Sequence, residues 1–347
     1  MALDHWYRPR IAVTLGDMAG VGPELVVKLL NDPRNTQKAE VTVLADHSEI
    51  QAARNAAGGL EFDESVTILD DGSCPATTTP TAQISRQTGE RCIYQLRRAL
   101  DLWRRGQIDG IVFAPLNKSS LKLAGLKQED ELRWFADQLD YQGTTSEINI
   151  AGPLWTARVT SHIALEEVAE KITKSSTLKA IELLHKLRWE SGIETPRLAV
   201  CALNPHNGEN GSFGRQEIDA IVPAIAEAQS KGICVQGSLP CDTIFLKRKD
   251  FDGIVTMYHD QGQIAMKLLS FEGGVTVQGG LPVVITTPAH GTAFDIVGKN
   301  MASVASMQSA FDVAVTMATR RMEAQSAKDG GWVDASASVS NEARVRL

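Results

Sequence analysis

The amino-acid sequence predicts an α/β fold with a largely parallel core, and three observations lead there. Short β-branched runs alternate with amphipathic helical stretches along most of the chain, the pattern of successive βαβ units. Six of the strand-like runs empty abruptly into polar or glycine-rich turns. The 347 residues are enough for two domains, or one large one, with a substantial core.

Taken in order, Arg10 to Leu15 reads as a strand and Pro23 to Leu30 as a helix, with Pro23 suited to the first helical position and Glu24 to the first turn. Val41 to Ala45 is a second strand. Cys92 to Trp103 is a helix and Gly110 to Ala114 the strand after it. Ala157 to Thr160 leads into a helix whose Leu165, Val168, Ala169 and Ile172 form the i, i+3, i+4, i+7 stripe of a core-facing element. Ala180, Leu183, Leu184 and Leu187 repeat that stripe, and Ile218, Ile221, Val222 and Ile225 mark another amphipathic helix. Leu198 to Leu203, Gly253 to Met257 and Val283 to Thr287 are strands. Thr77 to Thr81 is a Thr/Pro-rich loop, and from about Gln325 the chain turns rich in Ala, Ser and Gly without periodicity. No composition shift marks a domain boundary, which points to domains joined by more than one crossing of the chain.

Composition excludes several classes. The net charge is −7, with no basic run interleaved with aromatics, so a nucleic-acid partner is not expected. No apolar stretch reaches membrane-spanning length, and the opening MALDHWYRPR lacks the apolar core of a secretory signal. Five scattered cysteines (Cys74, Cys92, Cys201, Cys234 and Cys241) without a CxxC pair fit a reducing cytoplasm.

The turns after Leu15, Ala114, Thr160, Leu203, Met257 and Thr287 carry the polar chemistry. Because ligands bind outside the carboxyl ends of parallel strands, six such turns suggest one shared site, or two sites facing one cleft. Four of the seven histidines sit there: His162, His206, His259 and His290. Neutral imidazoles from separate strands can assemble a site for Zn²⁺ or a similar divalent ion, although each alone is more often a hydrogen-bonded structural residue. His5, His47 and His185 read as solvated or structural. GDMAGVGPE is neither GxGxxG nor a Walker loop, and by itself reads as a tight β-to-α connection. PAHGTAFDIVGK sets small residues beside an imidazole, a loop whose backbone can approach an adenine and phosphate. Asn117 and Lys118 read more as a solvated turn than as part of a site.

Together, TLGDMAGVGPE, LNPHNGENGSFGRQEID, PCDTIF, MYHDQGQIAMK and HGTAFDIVGK, in this order, resemble the 4-hydroxythreonine-4-phosphate dehydrogenase family of vitamin B6 (pyridoxine) biosynthesis. HGTAFDIVGK also resembles the cofactor loop of isocitrate and isopropylmalate dehydrogenases, whose fold that family shares. The resemblance covers roughly residues 10 to 320. It implies two α/β/α domains with a cleft between them. Residues 1–125 plus 284–325 would form the cofactor side, 126–283 the metal, substrate and dimerisation side, and 326–347 a flexible tail. It implies a homodimer with a shared active site and a small-molecule substrate. It also implies a divalent metal (Zn, or Mg, Mn or Co) on His162, His206 and His259, and NAD or NADP on the loop of His290, Gly291, Thr292, Ala293 and Asp295. Lys267 matches a substrate-contacting lysine.

The departures fall on substrate contacts. The family's His-Thr pair corresponds to Glu131 and Leu132, an Asn to Thr276, and an Arg before the cofactor loop to Ile285; Met18 replaces a proline. This implies the same reaction type on a changed substrate: oxidation of a secondary alcohol of a small, phosphorylated hydroxy acid. Candidates are 4-hydroxythreonine 4-phosphate or a relative such as D-threonate or D-erythronate 4-phosphate, with β-decarboxylation where a carboxylate permits. Lys267 would pair with a substrate anion or relay a proton. Asp260 and Asp242 would orient a ligand or move a proton, with turn capping as their bland alternative. The competing readings are a cis-dihydrodiol carboxylate dehydrogenase, a metal-dependent hydrolase or lyase, and a silent binding protein on the same fold.

Overall fold

The structure, a computed structural model, describes residues 8–73, 81–269 and 273–328. His5, Cys74, nearly all of the Thr/Pro-rich loop and the chain beyond Lys328 lie outside the described residues. The strands are β1 (Arg10–Thr14), β2 (Glu40–Leu44), β3 (Thr67–Ile68), β4 (Gly110–Phe113), β5 (Ser146–Ala151), β6 (Leu154–Arg158), β7 (Leu198–Cys201), β8 (Val235–Leu239), β9 (Gly253–Thr256), β10 (Val275–Gly279) and β11 (Val284–Pro288). The α-helices are α1 (Gly22–Leu30), α2 (Pro33–Lys38), α3 (His47–Ala56), α4 (Arg86–Arg104), α5 (Lys118–Leu123), α6 (Glu131–Gln138), α7 (Leu165–Lys171), α8 (Lys174–Glu190), α9 (Val222–Ser230), α10 (Cys241–Ile244), α11 (His259–Leu269) and α12 (Ala305–Lys328). No helix among the described residues is long and apolar enough to cross a membrane.

Local chemistry sets many of the boundaries. Ser85, Asn117, Asp130 and Thr173 each accept a backbone N–H of the first helical turn, starting α4, α5, α6 and α8. Proline opens α1 and α2. Helix α12 runs on to Lys328.

The described strands all join one eleven-stranded sheet in the order β3-β2-β1-β4-β11-β10-β5-β6-β9-β7-β8. The expectation of a largely parallel core needs a correction in the middle. The β11–β10, β10–β5 and β5–β6 ladders are antiparallel, while the flanking ladders are parallel. Three antiparallel steps make the two parallel blocks run in opposite directions, so their carboxyl ends approach the central strands from opposite sides.

Alternation along the strands assigns the two faces. Ile11, Val13, Val112, Val284, Val200 and Val255 belong to one continuous apolar cluster under α1, α8, α9 and α12. Among the described residues, the other face is not covered continuously. Ala12, Ile111, Phe113 and Ile285 pack under α4 and α6. At the far end, Ala199, Cys201 and Ile254 pack with Ile244 of α10 and Met266 of α11. Between these two covers lies a stretch of bare sheet, and its residues are polar.

Two predicted stripes are only half buried. On α7, Val168 and Ile172 are enclosed, but Leu165 is 71% exposed. Ile221 and Ile225 are enclosed, whereas Ile218 and Val222 face outward.

Helices α4 and α5 cross at Gly89. A Cβ there would lie 2.0 Å from the Ser120 carbonyl oxygen and 2.5 Å from its carbon. Backbone cannot yield as a side chain can, so Gly89→Ala is expected to destabilise the fold by about 1–3 kcal/mol, the usual cost of overpacking. A urea melt with an unchanged midpoint would contradict this.

Candidate active site

The uncovered stretch of sheet is the floor of a cleft of about 570 Å³. The register places its polar residues side by side. Thr276 pairs with Thr287 and with Asn149, Gln278 pairs with Glu147, and Asn149 pairs with Thr156. Arg158, two residues beyond Thr156, reaches Glu147 in an ion pair. Its Nη1 donates to Asn149 Oδ1 (3.2 Å) and its Nε to Ser161 Oγ (3.1 Å). Asn149 Nδ2 in turn donates to Thr276 Oγ1 (3.3 Å), and Gln263 of α11 donates to Asn149 Oδ1. Burial pulls the Arg158 guanidinium below its ordinary value, and Glu147 opposes this.

One end of the cleft is built from the turns after β4 and β11, at residues 115–119 and 288–292. The other end carries His162, after β6, and His259, at the start of α11. Their ring centroids are 5.6 Å apart. Each Nδ1 is held by a carboxylate: His162 by Glu129 (2.7 Å) with Asp130 at 3.5 Å, and His259 by Asp260 (2.7 Å). Carboxylates on the two Nδ1 atoms leave both Nε2 atoms as donors, the arrangement that orients histidine ligands toward a metal. Glu129, Asp130 and His162 also place three potential ligand atoms within 4.8 Å of one another. Asp130, however, caps α6. Burial lowers the His162 pKa, and nearby Lys118 and His259 lower it further, which favours the neutral imidazole a ligand requires.

His206 does not line this cleft. It is exposed, packs beside Phe213 (ring centroids 6.3 Å), and begins a run of positive φ through Asn210. Such left-handed backbone is costly for non-glycine residues and needs outside support. Glu217 supplies it: Oε1 accepts the N–H groups of Leu203 and Asn204 (2.8 Å each), and Oε2 accepts Asn204 Nδ2 (2.9 Å). Glu217→Ala strands both backbone donors. Because both donors are only part-buried, it is expected to cost about 2 kcal/mol, the low end of about 1–3 kcal/mol for each unpaired group. A denaturation midpoint within error of the parent would refute that support role.

The other predicted residues divide. Glu131, Thr276, His290, Gly291 and Thr292 line the cleft. Burial raises the Glu131 carboxyl pKa, Glu147 and Asp130 add to the rise, and Lys118 opposes it. Leu132 and Ile285 are fully enclosed in the core under α4 and α6, so neither side chain is available for substrate contact. Lys267, Asp242 and Asp295 are exposed and outside the lining. Ala293 adopts a left-handed φ of 44° just before the turn that carries Asp295. Lys118, read as a solvated turn residue, lines the cleft instead. Glu147, Asn149, Arg158, Gln263 and Gln278 were missed. For all but Gln263, which lies on α11, the signal was a polar residue inside a short strand, which a search for turn motifs passes over.

The turn after β1 stands behind the 290–292 loop rather than in the cleft. Val21 N–H donates to Thr292 O (3.0 Å), and a Cβ on Gly20 would come within 2.7 Å of the Thr292 Cβ. Gly291 faces open space, with nothing within 4 Å of its missing Cβ, so a flat ligand can approach the backbone there. His290 Nδ1 donates to the Gly291 carbonyl (2.9 Å).

Comparison with known proteins follows this geometry. The family described as pyridoxal phosphate biosynthetic protein PdxA matches residues 25–314. A Pseudomonas aeruginosa protein, provisionally named 4-hydroxythreonine-4-phosphate dehydrogenase 2, is 45% identical over 89% of this chain and 97% of its own. The D-threonate 4-phosphate dehydrogenase of Cupriavidus necator is 36% identical over 91% of this chain and 99% of its own. The crystal structure of a 4-hydroxythreonine-4-phosphate dehydrogenase from Burkholderia phymatum superposes with a TM-score of 0.75 at 35% identity, covering 90% of this chain and 99% of that one.

Proposed function

From the premise that this chain belongs to the PdxA family of pyridoxal phosphate biosynthetic proteins, we propose that it is an NAD(P)- and divalent-metal-dependent dehydrogenase of a small phosphorylated hydroxy acid. The relatives named as dehydrogenases make it an oxidoreductase acting on CH–OH. The observation that carries the metal-dependent reading is the pair His162 and His259, 5.6 Å apart, each steadied by a carboxylate at the end of a polar cleft.

When bound, the divalent ion supplies positive charge that lowers the pKa of a substrate hydroxyl, and the nicotinamide accepts the hydride. The chain's own residues do the rest. His162 and His259 would hold the ion, and Glu129 and Asp260 fix their tautomers. Lys118 holds a substrate anion at the β4 end of the cleft. The 290–292 loop, backed by Val21 and Gly20, offers its backbone to the nicotinamide nucleotide. Where a carboxylate lies β to the new carbonyl, CO₂ can leave.

Two donors alone do not complete a metal centre of this kind. His206, Lys267 and Asp242 all lie exposed on the 204–267 stretch, outside their own cleft. Helix α11 buries Gly262 and Met266 on one side yet leaves Ile264 58% and Leu268 82% exposed on the other. An apolar face of that kind calls for cover. A second copy would provide it, with His206 of the partner subunit as the third imidazole and Lys267 of the partner subunit near the substrate anion.

The direct test is a turnover screen. D-threonate, D-erythronate and 4-hydroxythreonine 4-phosphates are each offered with NAD⁺ and NADP⁺, and reduced nicotinamide is followed by absorbance. Turnover of at least one acid is expected. Nucleotide binding without turnover of any acid would favour a silent relative, and no nucleotide binding would favour a hydrolase or lyase.

A further inference from the structure

We propose that Gln278, the ladder neighbour of Glu147, is a specificity-determining residue that accepts a hydrogen bond from a non-reacting hydroxyl of the substrate, and that it favours hydroxy acids over amino acids. The inference rests on the dehydrogenase reading above and names which acid the cleft prefers.

The observation is an unpaired atom. On the cleft floor Asn149, Arg158, Glu147 and Thr276 satisfy one another. Gln278 is 3% exposed, lines the cleft, and its Oε1 has no hydrogen-bond partner. A buried amide oxygen left unpaired carries a desolvation penalty that a bound donor removes. The floor therefore waits for an O–H or N–H from the ligand.

Charge decides which. Glu147, opposite Gln278 in the ladder, is already committed to Arg158. An ammonium arriving at Gln278 would meet a fixed guanidinium nearby and a carboxylate already spoken for. A neutral hydroxyl meets neither difficulty. Arg158, on β6, stands three strands from Ile285 of β11, the position where the resemblance implied a guanidinium. The acids named for the relatives differ at one substituent, an amino group in 4-hydroxythreonine 4-phosphate and a hydroxyl in D-threonate 4-phosphate, and this is the substituent the proposal assigns to Gln278.

The test is equilibrium binding to the metal-loaded, full-length protein by calorimetry, which needs no turnover. The probes are D-threonate 4-phosphate, its 2-deoxy analogue and 4-hydroxythreonine 4-phosphate. The wild type is expected to bind the threonate at least tenfold more tightly than either of the others. In Gln278→Met the three should converge, with a ten- to hundredfold loss confined to the threonate and NAD⁺ affinity unchanged. If Gln278→Met does not fold, Gln278→Asn, which keeps the amide but draws it back, should show the same convergence. A preference that survives in the variant, or an equal loss for all three acids, overturns the assignment. The convergence without turnover by either protein would instead count against the dehydrogenase reading and leave the subsite standing. Failure of the wild type to bind any of the three would count against both.

Discussion

Dialysis against a chelator is expected to abolish turnover, and Zn²⁺, or Mn²⁺ or Co²⁺ in its place, to restore it. The size of the effect follows from what the cleft lacks. Among the described residues the cations lining the cleft are Lys118, at the β4 end, and an Arg158 already paired with Glu147. Neither replaces a divalent charge held between His162 and His259. Lewis-acid stabilisation is worth several kcal/mol, and about 4 kcal/mol corresponds to a factor of roughly 10³ in rate. His259→Ala should reproduce most of that loss, because it removes a donor nitrogen and the Asp260 contact that orients it. The control is nucleotide binding: NAD⁺ or NADP⁺ should still titrate the chelated protein, because the 290–292 loop is held by Val21 and not by the histidines. Undiminished turnover after exhaustive chelation, with metal content confirmed as nil, would remove the ion from the mechanism.

Much of this site could be read from the sequence, and its unread part has a physical cause. His162 and His259 were legible because each follows a strand directly, and a polar residue at a strand's carboxyl end is visible as an abrupt change of character. The 290–292 loop was legible by the same signal. The floor was not. Glu147 and Asn149 alternate with Ile148 and Ile150, so the strand is amphipathic, and an amphipathic strand is ordinarily solvated on its polar side. Only the register and the two separate apolar covers show that this polar side faces a cleft. The reversal of direction at β10 and β5 was hidden for a related reason. Whether neighbouring strands run parallel is a property of the connections, and the short strands of the middle, such as VTVQG, look alike in either sense. Leu132 and Ile285 illustrate the opposite error. A positional match to a substrate contact assigned them to the cleft, but an apolar side chain at such a position can instead withdraw into the core beside it.

Co-refolding His162→Ala with His206→Ala is expected to recover about a quarter of wild-type activity, although each variant alone is nearly inactive. Within one chain His162 and His259 share the cleft, while His206 sits outside it on a loop braced by Glu217. If each centre takes His162 and His259 from one subunit and His206 of the partner subunit, a mixed dimer holds one centre with all three imidazoles and one lacking two. Random pairing makes about half of the dimers mixed, each with one working site of two, which gives the quarter. The single variants should each lose about 10²–10³ in kcat, the scale seen when a preorganised electrostatic contact is removed. In that arrangement the outward face of α11, where Ile264 and Leu268 lie bare, would bring the loops together, and Leu268→Asp should therefore push the protein toward monomer and lower activity together. The outcome that decides against a shared centre is a mixture no more active than the sum of its parts while light scattering still reports dimers. In that case the three imidazoles would have to converge within one subunit, and the loop carrying His206 would have to abandon the left-handed run that Glu217 holds in place.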